Sequence, residues 1–274
     1  MDTTAQPTIW EVPDDVWTLI EPMLNAWYPA KPKGHRRVDL RRVLNGIIFR
    51  LRTGCQWNQL PKQFGDDSTV HRHFQPWCQR GIMARLWAML VEGCDELGGV
   101  DWQWQAADTA MGKARRGGDL VGCNPTDRGK KGLKRSLVVE ARGGPLGAAI
   151  AGANVHDTKR LAATLGAIVG ERPQPTEEWP QHLCLDKGYD NPTGHETVTA
   201  YQYTPHIRRI GEEKRAPHGQ KTYPARRWVV ERTLAWLSKC RGLLVRYEKK
   251  AVNFFGLLQL ACALIWMRRR ARLL

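Results

Sequence analysis

Three acidic side chains in the second half of this 274-residue chain stand where carboxylates could act on a charged substrate. Asp108 ends the alternating stretch "DWQWQAAD", Asp186 follows the short apolar stretch "HLCL", and Glu231 lies within "RRWVVERTLAWLSKC". The first two stretches predict β-strands that end at the aspartates, and the third predicts a long helix. Carboxylates at the ends of adjacent strands, with a third from a helix packed across them, would converge on one small volume.

Such a cluster is unfavourable unless cations neutralise it, because like charges held close together oppose ionisation. Mg²⁺, or Mn²⁺ in its place, prefers oxygen ligands of this kind, and Mg²⁺ sites often include substrate phosphates. Two such ions ~4 Å apart can activate an attacking oxygen and stabilise the leaving oxygen of a phosphodiester. The three carboxylates therefore predict a site for two divalent ions.

Each of these residues also has a simpler interpretation. Arg227 and Glu231 are four residues apart on the predicted helix and could form an ordinary surface ion pair. Asp190 competes with Asp186, although its position favours a cap on the following helix. Asp157 is a further acidic candidate that a helix cap would explain equally well.

The helix that carries Glu231 has an apolar stripe, which predicts the side packed on the rest of the protein. Its members are Val230, Leu234, Leu237 and Leu244, and Glu231 falls on the flank of this stripe. A flank position suits either a solvated charge or a carboxylate that leans into a cleft.

Charge is distributed unevenly along the chain. The formal net charge is +15, and residues 1–100 hold 12 Lys and Arg against 11 Asp and Glu, whereas residues 101–274 hold 30 against 16. A compact region with that excess should attract a polyanion, and nucleic acid fits best, because phosphate contacts from Lys and Arg dominate such binding. The alternative is a basic surface that serves solubility alone, but the clustering of the basic residues favours nucleic acid.

Several protein classes fit poorly. Seven cysteines without a C-x-x-C spacing indicate free thiols in a reducing cytoplasm. The stretch "HRHFQPWC", with His71, His73 and Cys78, has no second ligand pair at zinc spacing nearby. The N-terminus lacks the apolar segment of a signal peptide, and the run "FFGLLQLACALIWM" is shorter than the ~20 residues of a membrane span, which favours a packed helix.

The first 100 residues are predicted to be helical. Apolar residues at three- and four-residue spacing predict helices over 13–25 and 39–53. A short helix, a turn at "FGDDS" and a second helix over 68–79, capped by Asp67 or Ser68, would form a helix-turn-helix with the second helix reading DNA. We expect residues 1–100 to be a helical domain that either binds DNA or, given its net charge of about +1, forms a bundle that only supports the rest of the chain.

From residue 101 onward the pattern predicts an α/β domain that extends to residue 274. The Asp108 strand is followed by a hairpin of "RSLVVEA" and "PLGAAIAGA", and then helices alternate with strands up to the helix of Glu231. This order predicts a mixed five-stranded sheet with flanking helices. Four tryptophans fit buried faces of predicted helices: Trp77, Trp87, Trp228 and Trp236.

This order of elements, with two aspartates and a helical glutamate, resembles the RNase H-like fold of the DDE transposases of bacterial insertion sequences. The stretch "RRWVVERTLAWLSKCRGLLVRYEKK" is similar to the glutamate signature of the insertion sequence 4 and 5 superfamily, most of all of the insertion sequence 5 family. Further similar stretches are "DDVWTLIEPML", "RRVLNGIIFRLRTGCQWNQLP", "DRGKKGLKRSLVVEARGGPLGAAIAGANVHD" and "LCLDKGYD". The resemblance covers nearly the whole chain.

The resemblance implies a transposase that cleaves DNA at the ends of an insertion sequence and joins the 3′-hydroxyls to target DNA. It implies that Asp108, Asp186 and Glu231 bind two Mg²⁺ or Mn²⁺ ions. It further implies that the N-terminal helices recognise transposon ends or support a homodimer. The partners would be double-stranded DNA of the terminal inverted repeats and the target, in the bacterial cytoplasm at the nucleoid and without a membrane.

The glutamate signature is not complete. In the wider superfamily it runs Tyr, two residues, Arg, three residues, Glu, six residues, Lys. Arg227 keeps its place, but Tyr223 lies one residue too far back and Ser238 stands at the lysine position, with Lys239 next. At ~100° per residue Lys239 is rotated by ~80° from Glu231, which leaves its implied role open.

DNA contacts are expected from the helices in residues 39–79 and from the basic loops 113–135 and 208–227. Two alternatives share these features: a catalytically inactive DNA-binding regulator derived from a transposase, and a metal nuclease without strand transfer. Terminal inverted repeats beside the gene would favour a mobile element. The candidate DNA-binding residues are Arg227, Lys239, Lys130, Lys131, Lys134, Arg135, Arg41, Arg42, His71 and Arg72.

Overall fold

A computed structural model describes residues 10–29, 37–207 and 226–274. These residues form an α/β structure in which helices precede and flank one mixed sheet, as predicted. The helices are α1 (Asp14–Trp27), α2 (Leu40–Thr53), α3 (Asp67–Gln79), α4 (Ile82–Asp95), α5 (Thr158–Leu165), α6 (Pro192–Ala200), α7 (Trp228–Ser238), α8 (Arg241–Leu244) and α9 (Ala251–Arg270).

Local sequence explains both ends of α2. The Asp39 carboxylate accepts hydrogen bonds from the backbone amides of Arg41 and Arg42, at 2.9 and 3.1 Å, which caps the first turn. Gly54, with φ of 68°, provides the left-handed residue that ends the helix. The helices predicted over 13–25 and 39–53 are confirmed as α1 and α2.

The predicted helix-turn-helix is not formed as expected. Between α2 and α3 the chain makes only two single turns of 3₁₀-helix, Trp57–Gln59 and Lys62–Phe64, so the expected first helix is absent from this described segment. The predicted cap is also wrong, because Asp66 occupies the N-cap position of α3 and accepts a hydrogen bond from the Ser68 hydroxyl. The helix predicted over 68–79 is confirmed as α3.

Neighbouring strands in the sheet follow the order β2-β3-β1-β5-β6, and β4 also pairs with β3. The pairs of β3 with β1, β2 and β4 are antiparallel, whereas β5 runs parallel to β1 and β6. The sheet has six strands rather than the predicted five, because β2 is too short to show a period. The strands are β1 (Trp104–Lys113), β2 (Gly122–Cys123), β3 (Lys131–Glu140), β4 (Pro145–Gly152), β5 (His182–Leu185) and β6 (Thr204–Ile207).

Strand β1 is longer than predicted. It continues five residues beyond Asp108, because β3 pairs with it as far as Lys113 opposite Gly132. Strand β5, in contrast, pairs only with residues 104–106 of β1. Asp108 therefore does not end its strand, but it lies just beyond the part of β1 that β5 covers.

Helix α9 packs inside the protein. It is 20 residues long and has buried apolar residues around its circumference, which is typical of a central helix. It is the one helix in the described ranges that is long and apolar enough to cross a membrane, and 67% of its most apolar window is buried against the rest of the chain. Gly256 allows close approach to α3, because a methyl group there would lie 2.3 Å from the Cys78 sulfur.

The helical N-terminal part and the sheet share one hydrophobic core. Helix α9, which follows the sheet in the chain, packs against α3 and α4. The buried Arg50 guanidinium lies 2.8 Å from a Glu248 carboxylate oxygen, which also accepts a hydrogen bond from the Trp57 indole at 3.2 Å. The domain boundary at residue 100 remains a prediction. These contacts connect the residues before that boundary with the residues after it.

Candidate active site

The register of the sheet places Asp108 and Asp186 side by side. Ala106 of β1 is paired with Cys184 of β5, and the two aspartates follow these residues by two positions each. Because side chains alternate across a strand, each aspartate continues the same face as its paired residue. Strand β5 ends at Leu185, so Asp186 stands at its carboxyl end as predicted, next to the uncovered part of β1.

Helix α7 carries Glu231 across β1 and β3. Its buried face holds it there, and the Thr233 hydroxyl donates a hydrogen bond to the carbonyl of Gly143, at 2.8 Å, in the turn between β3 and β4. The guanidinium of Arg226, just before the helix, lies 4.5 Å from the centre of the Trp104 ring in β1. These contacts leave the Glu231 side chain 49% exposed, on the flank that the sequence predicted.

The outer side of α7 corrects three predictions. Trp228 and Trp236 are 55% and 36% exposed rather than buried, and the Arg232 guanidinium lies 4.7 Å from each ring. Leu244, expected in the buried stripe, is exposed because α7 ends at Ser238 and the following residues turn into α8. Trp77 and Trp87 are buried, as predicted.

Burial raises the pKa of Asp108 to about 6. The negative charges of Asp186 and Glu231 contribute to this rise, whereas the Thr109 backbone amide, which donates to Asp108 Oδ1 at 2.7 Å, and the charge of Arg227 oppose it. The three carboxylates thus share one electrostatic environment. A cation placed among them would reduce the repulsion between their negative charges.

Arg227 lies against two of the three carboxylates. Its Nε is 3.0 Å from Glu231 Oε1, and its Nη1 is 3.9 Å from Asp186 Oδ2. The ordinary i,i+4 ion pair considered from the sequence therefore exists, but it forms beside a second acid. The contact between Arg227 and Asp186 could not be predicted from sequence, because it depends on how α7 packs relative to Asp186 in the fold.

The donor chemistry of this cluster fits a hard divalent cation, since it offers carboxylate oxygens, the ligands that Mg²⁺ and Mn²⁺ prefer. In the described conformation, no three His, Cys, Asp or Glu residues of ranges 10–29, 37–207 and 226–274 are grouped closely enough to hold one metal ion. The guanidinium of Arg227 lies next to the oxygens that such an ion would use.

A hydroxyl network that the sequence did not indicate lies beside Asp108. The hydroxyl oxygens of Thr109 and Ser136 are 3.0 Å apart, and the Tyr189 hydroxyl is 3.4 Å from that of Thr109. Burial holds the pKa of Tyr189 above its usual value. The network connects β1, β3 and the turn after Asp186, so it helps to fix the distance between the two aspartates.

The other acidic candidates have structural partners. Asp157 precedes α5 but makes no side-chain cap bond, and its carboxylate instead lies 2.9 Å from the Lys134 ammonium. Asp190 does not cap α6 either, because Asn191 accepts the bond from the Gly194 amide at 3.0 Å. Asp190 forms a 3.0 Å contact with His195. Asp157 thus occupies the predicted N-cap position of α5 without a side-chain cap bond, whereas the cap prediction for Asp190 is wrong.

The basic residues predicted to contact DNA separate into exposed and buried groups. Lys130 and Lys131 are exposed and, with Lys113, Arg115 and Asp127, line a cleft of about 360 Å³ near the end of β1. Lys113 and Arg115 were not singled out from the sequence, although the basic loop 113–135 includes both.

Lys134 and Arg135 lie inside the protein. The strand that contains them begins at Lys131, earlier than the predicted loop allowed, and their side chains are buried. Arg135 donates to the Leu243 carbonyl and to the Ser238 hydroxyl, both at 3.4 Å. Burial removes both residues from a surface that DNA could contact, and Ser238, which replaces the signature lysine, faces inward.

Lys239 is exposed at the end of α7, whereas the N-terminal candidates already have local contacts. Arg41 pairs with Asp14 at 2.6 Å, Arg42 donates to the Lys62 carbonyl at 2.8 Å, and His71 lies 4.7 Å from the Trp57 ring centre. Arg72 is exposed and donates to the Thr69 hydroxyl at 3.2 Å. Tyr223 and residues 208–225 of the predicted basic loop lie outside the described residues.

Comparison with known families accounts for most of the chain. Residues 92–266, which include all three carboxylates, match a family model described as "Transposase DDE domain". Residues 12–87 match a second model, described as "Putative transposase of IS4/5 family". The chain belongs to the DDE transposase family. Within that family it falls into the insertion sequence 4/5 superfamily, as the resemblance implied.

Two curated proteins of Burkholderia cepacia are similar to parts of the chain. The first, "Putative transposase for insertion sequence element IS402", is 37% identical over 154 residues, which is 55% of this chain and 70% of the relative. The second, "Insertion element IS402 uncharacterized 16.2 kDa protein", is 33% identical over 118 residues, or 42% of this chain and 80% of the relative. An uncharacterised protein of Sinorhizobium fredii is 27% identical over 105 residues, or 38% of this chain and 76% of that protein.

Proposed function

We propose that this transposase cleaves DNA at the ends of an insertion sequence and joins the freed 3′-hydroxyls to target DNA. The observation that carries the proposal is the common electrostatic environment of Asp108, Asp186 and Glu231, on two adjacent strands and the helix that crosses them. The family supplies the transposase activity, and the cluster supplies the place where phosphodiester chemistry would occur.

In this proposal the three carboxylates hold Mg²⁺ or Mn²⁺. When bound, a pair of such ions would activate the attacking oxygen and stabilise the leaving oxygen. The role of the protein in this chemistry is to position the three carboxylates. The sheet register brings Asp108 and Asp186 to neighbouring strands, and α7 packs across β1 and β3 with Glu231 on its exposed flank.

The DNA itself would be held by the exposed basic residues. The cleft of Lys113, Arg115, Lys130 and Lys131 lies at the end of the strand that carries Asp108, so a phosphate backbone held there would pass near the carboxylates. Lys239 extends the same charge from the end of α7. Contacts of this kind position the DNA without reading its sequence.

We further propose that the N-terminal helices, with Arg41, Arg42, His71 and Arg72 among their candidate contacts, recognise the terminal inverted repeats. Two ends must be cut and joined together, which suits a homodimer acting in the cytoplasm at the nucleoid. The shared core means that any DNA contact of α3 is mechanically connected to α9 and the sheet.

The test is excision and integration of a marked element that carries the gene's native flanks, in cells that express the wild type or Glu231→Gln. Glu196→Gln serves as the matched control, since Glu196 is an exposed glutamate on α6. We expect events with the wild type and the control, and none with Glu231→Gln at equal protein level and DNA binding. Cleavage without joining would instead indicate a nuclease, and DNA binding without cleavage an inactive regulator.

A further inference from the structure

Arg227 contacts two carboxylates of the candidate site, which a residue that only binds DNA would not need to do. Its guanidinium approaches both Glu231 and Asp186, at 3.0 and 3.9 Å. Its positive charge also opposes the rise in the pKa of Asp108. One side chain therefore acts on all three carboxylates of the candidate site.

No other described cation takes that role. Among residues 10–29, 37–207 and 226–274, Arg227 provides the only Lys, Arg or His nitrogen within 4.0 Å of the Asp186 or Glu231 carboxylate. Asp108 has no ion pair of its own among the same residues, and its carboxylate accepts a hydrogen bond from the Thr109 backbone amide. The neutralising charge of this acidic cluster thus comes largely from one guanidinium.

The guanidinium can leave without disturbing α7. Arg227 precedes the helix and makes no side-chain cap bond with it. The start of α7 is fixed instead by Arg226, whose guanidinium packs on the Trp104 ring, and by the Thr233 bond to Gly143. The Arg227 side chain is also partly exposed, so water is available to solvate it once it moves.

We propose that Arg227 is an exchangeable counter-ion of the carboxylate site. In the metal-free protein it neutralises Asp186 and Glu231, and it moves away when these carboxylates bind a divalent cation. The inference rests on the proposed metal-binding role of the three acids and adds a competitor within the chain itself. Arg227 thereby lowers the affinity of the free protein for metal ions.

The size of the effect follows from Coulomb's law. At ~5 Å the repulsion between a divalent ion and one positive charge corresponds to roughly a tenfold loss of affinity, even with the dielectric constant of water. Replacing Arg227 by an uncharged residue should therefore tighten metal binding by about tenfold. The loss of competition for Glu231 Oε1 acts in the same direction.

The experiment is a Mn²⁺ titration of the full-length protein without DNA, with free Mn²⁺ followed by electron paramagnetic resonance. The variants are Arg227→Gln, Arg227→Lys, Arg232→Gln and Glu231→Gln, each checked for folding by circular dichroism. Arg232 is the matched control, because it lies on the same helix and packs on tryptophan rings rather than on the carboxylates. Arg227→Lys keeps the charge and covers the case in which Arg227→Gln does not fold.

We expect Arg227→Gln to bind Mn²⁺ about tenfold more tightly than the wild type, with Arg227→Lys and Arg232→Gln within about threefold of it. Unchanged or weaker binding by Arg227→Gln, with wild-type binding that Glu231→Gln abolishes, would overturn the counter-ion role and leave the metal site intact. If Arg227→Gln does not fold, Arg227→Lys binding more than threefold more tightly than the wild type would overturn it. If neither the wild type nor the Arg227 variants show binding that depends on Glu231, both the metal site and the counter-ion role are wrong.

Discussion

At the scale of single residues, the site depends on Asp108, a carboxylate whose ionisation the fold opposes. Asp108 and Glu231 could be selected from sequence because one ends an alternating stretch of residues and the other lies on the flank of an apolar stripe. Their electrostatic coupling could not be predicted, because it depends on the register between β1 and β5, whose paired residues are 78 positions apart in the chain. The hydroxyls of Thr109, Ser136 and Tyr189 were missed for the same reason.

The raised pKa of Asp108 makes a prediction for the metal-free protein. A carboxyl group with a pKa of about 6 when folded, against ~3.9 when unfolded, binds more protons in the folded state between these values. Stability should therefore fall as the pH rises from about 4 to about 6. Asp108→Asn removes this cost, so we expect it to raise the free energy of unfolding by about 3 kcal/mol at pH 7.5 and not at pH 4.

Urea denaturation in EDTA at the two pH values measures the difference. The wild type provides the reference at each pH, which cancels the titration of all other groups. An asparagine variant no more stable than the wild type at pH 7.5 would show that Asp108 ionises without cost and that the carboxylates do not interact as described.

At the scale of elements, periodicity identified most helices and strands, and it failed where length or pairing decided the outcome. Strand β2 has two residues, too few for any pattern, and β1 continues beyond Asp108 only because β3 is long enough to pair with it. The buried position of Lys134 and Arg135 follows from the same extension of β3. Helix N-caps were predicted least accurately. Asp66 and Asn191 occupy N-cap positions that the sequence had suggested for neighbouring residues.

The packing of α9 on α3 provides a prediction for these elements. A methyl group at Gly256 would lie 2.3 Å from the Cys78 sulfur and 3.1 Å from its Cβ, so the two helices would have to separate. We expect Gly256→Ala to destabilise the protein by ~1–3 kcal/mol, despite the higher helix propensity of alanine. Gly112→Ala in β1 is the control, because its methyl group would meet Leu133 at an ordinary 3.5 Å. Equal stability of Gly256→Ala and the wild type in thermal unfolding would contradict the close packing.

At the scale of the whole molecule, the two regions matched by separate family models share one core. Sequence patterns suggested a boundary near residue 100 because the periodicity changes there. They could not reveal that α9 packs against the N-terminal helices, since its apolar residues show that it is buried but not which helices it contacts.

The buried ion pair between Arg50 and Glu248 tests this connection. Glu248→Gln would leave the Arg50 guanidinium without a counter-charge inside the protein, which typically costs ~3–5 kcal/mol. We expect lower stability in a single unfolding transition seen by both fluorescence and circular dichroism. Glu196→Gln should change little. Two separate transitions would indicate that the N-terminal helices and the sheet unfold independently.

The charge distribution of the chain predicts where DNA affinity depends on salt. Lys130→Ala should weaken DNA binding and reduce the slope of log affinity against log salt by about 1, because one phosphate contact is lost. Lys159→Ala, at an exposed lysine on α5 outside the residues proposed to contact DNA, is the matched control and should leave the slope unchanged. Fluorescence anisotropy at several salt concentrations gives both slopes, and equal slopes for the two variants would exclude the cleft as a DNA contact.

The central claim is that Asp108, Asp186 and Glu231, and not their acidic neighbours, form the active site. The most direct test is Mg²⁺-dependent cleavage of DNA that carries the element's ends, with purified Asp108→Asn, Asp186→Asn and Asp190→Asn. Asp190 is the matched control, because it lies four residues after Asp186 and contacts only His195 among the described side chains. The account predicts a loss of about 10³-fold or more for the first two variants and near wild-type cleavage by the third. Wild-type cleavage by Asp108→Asn or Asp186→Asn, or its loss in Asp190→Asn, would contradict it.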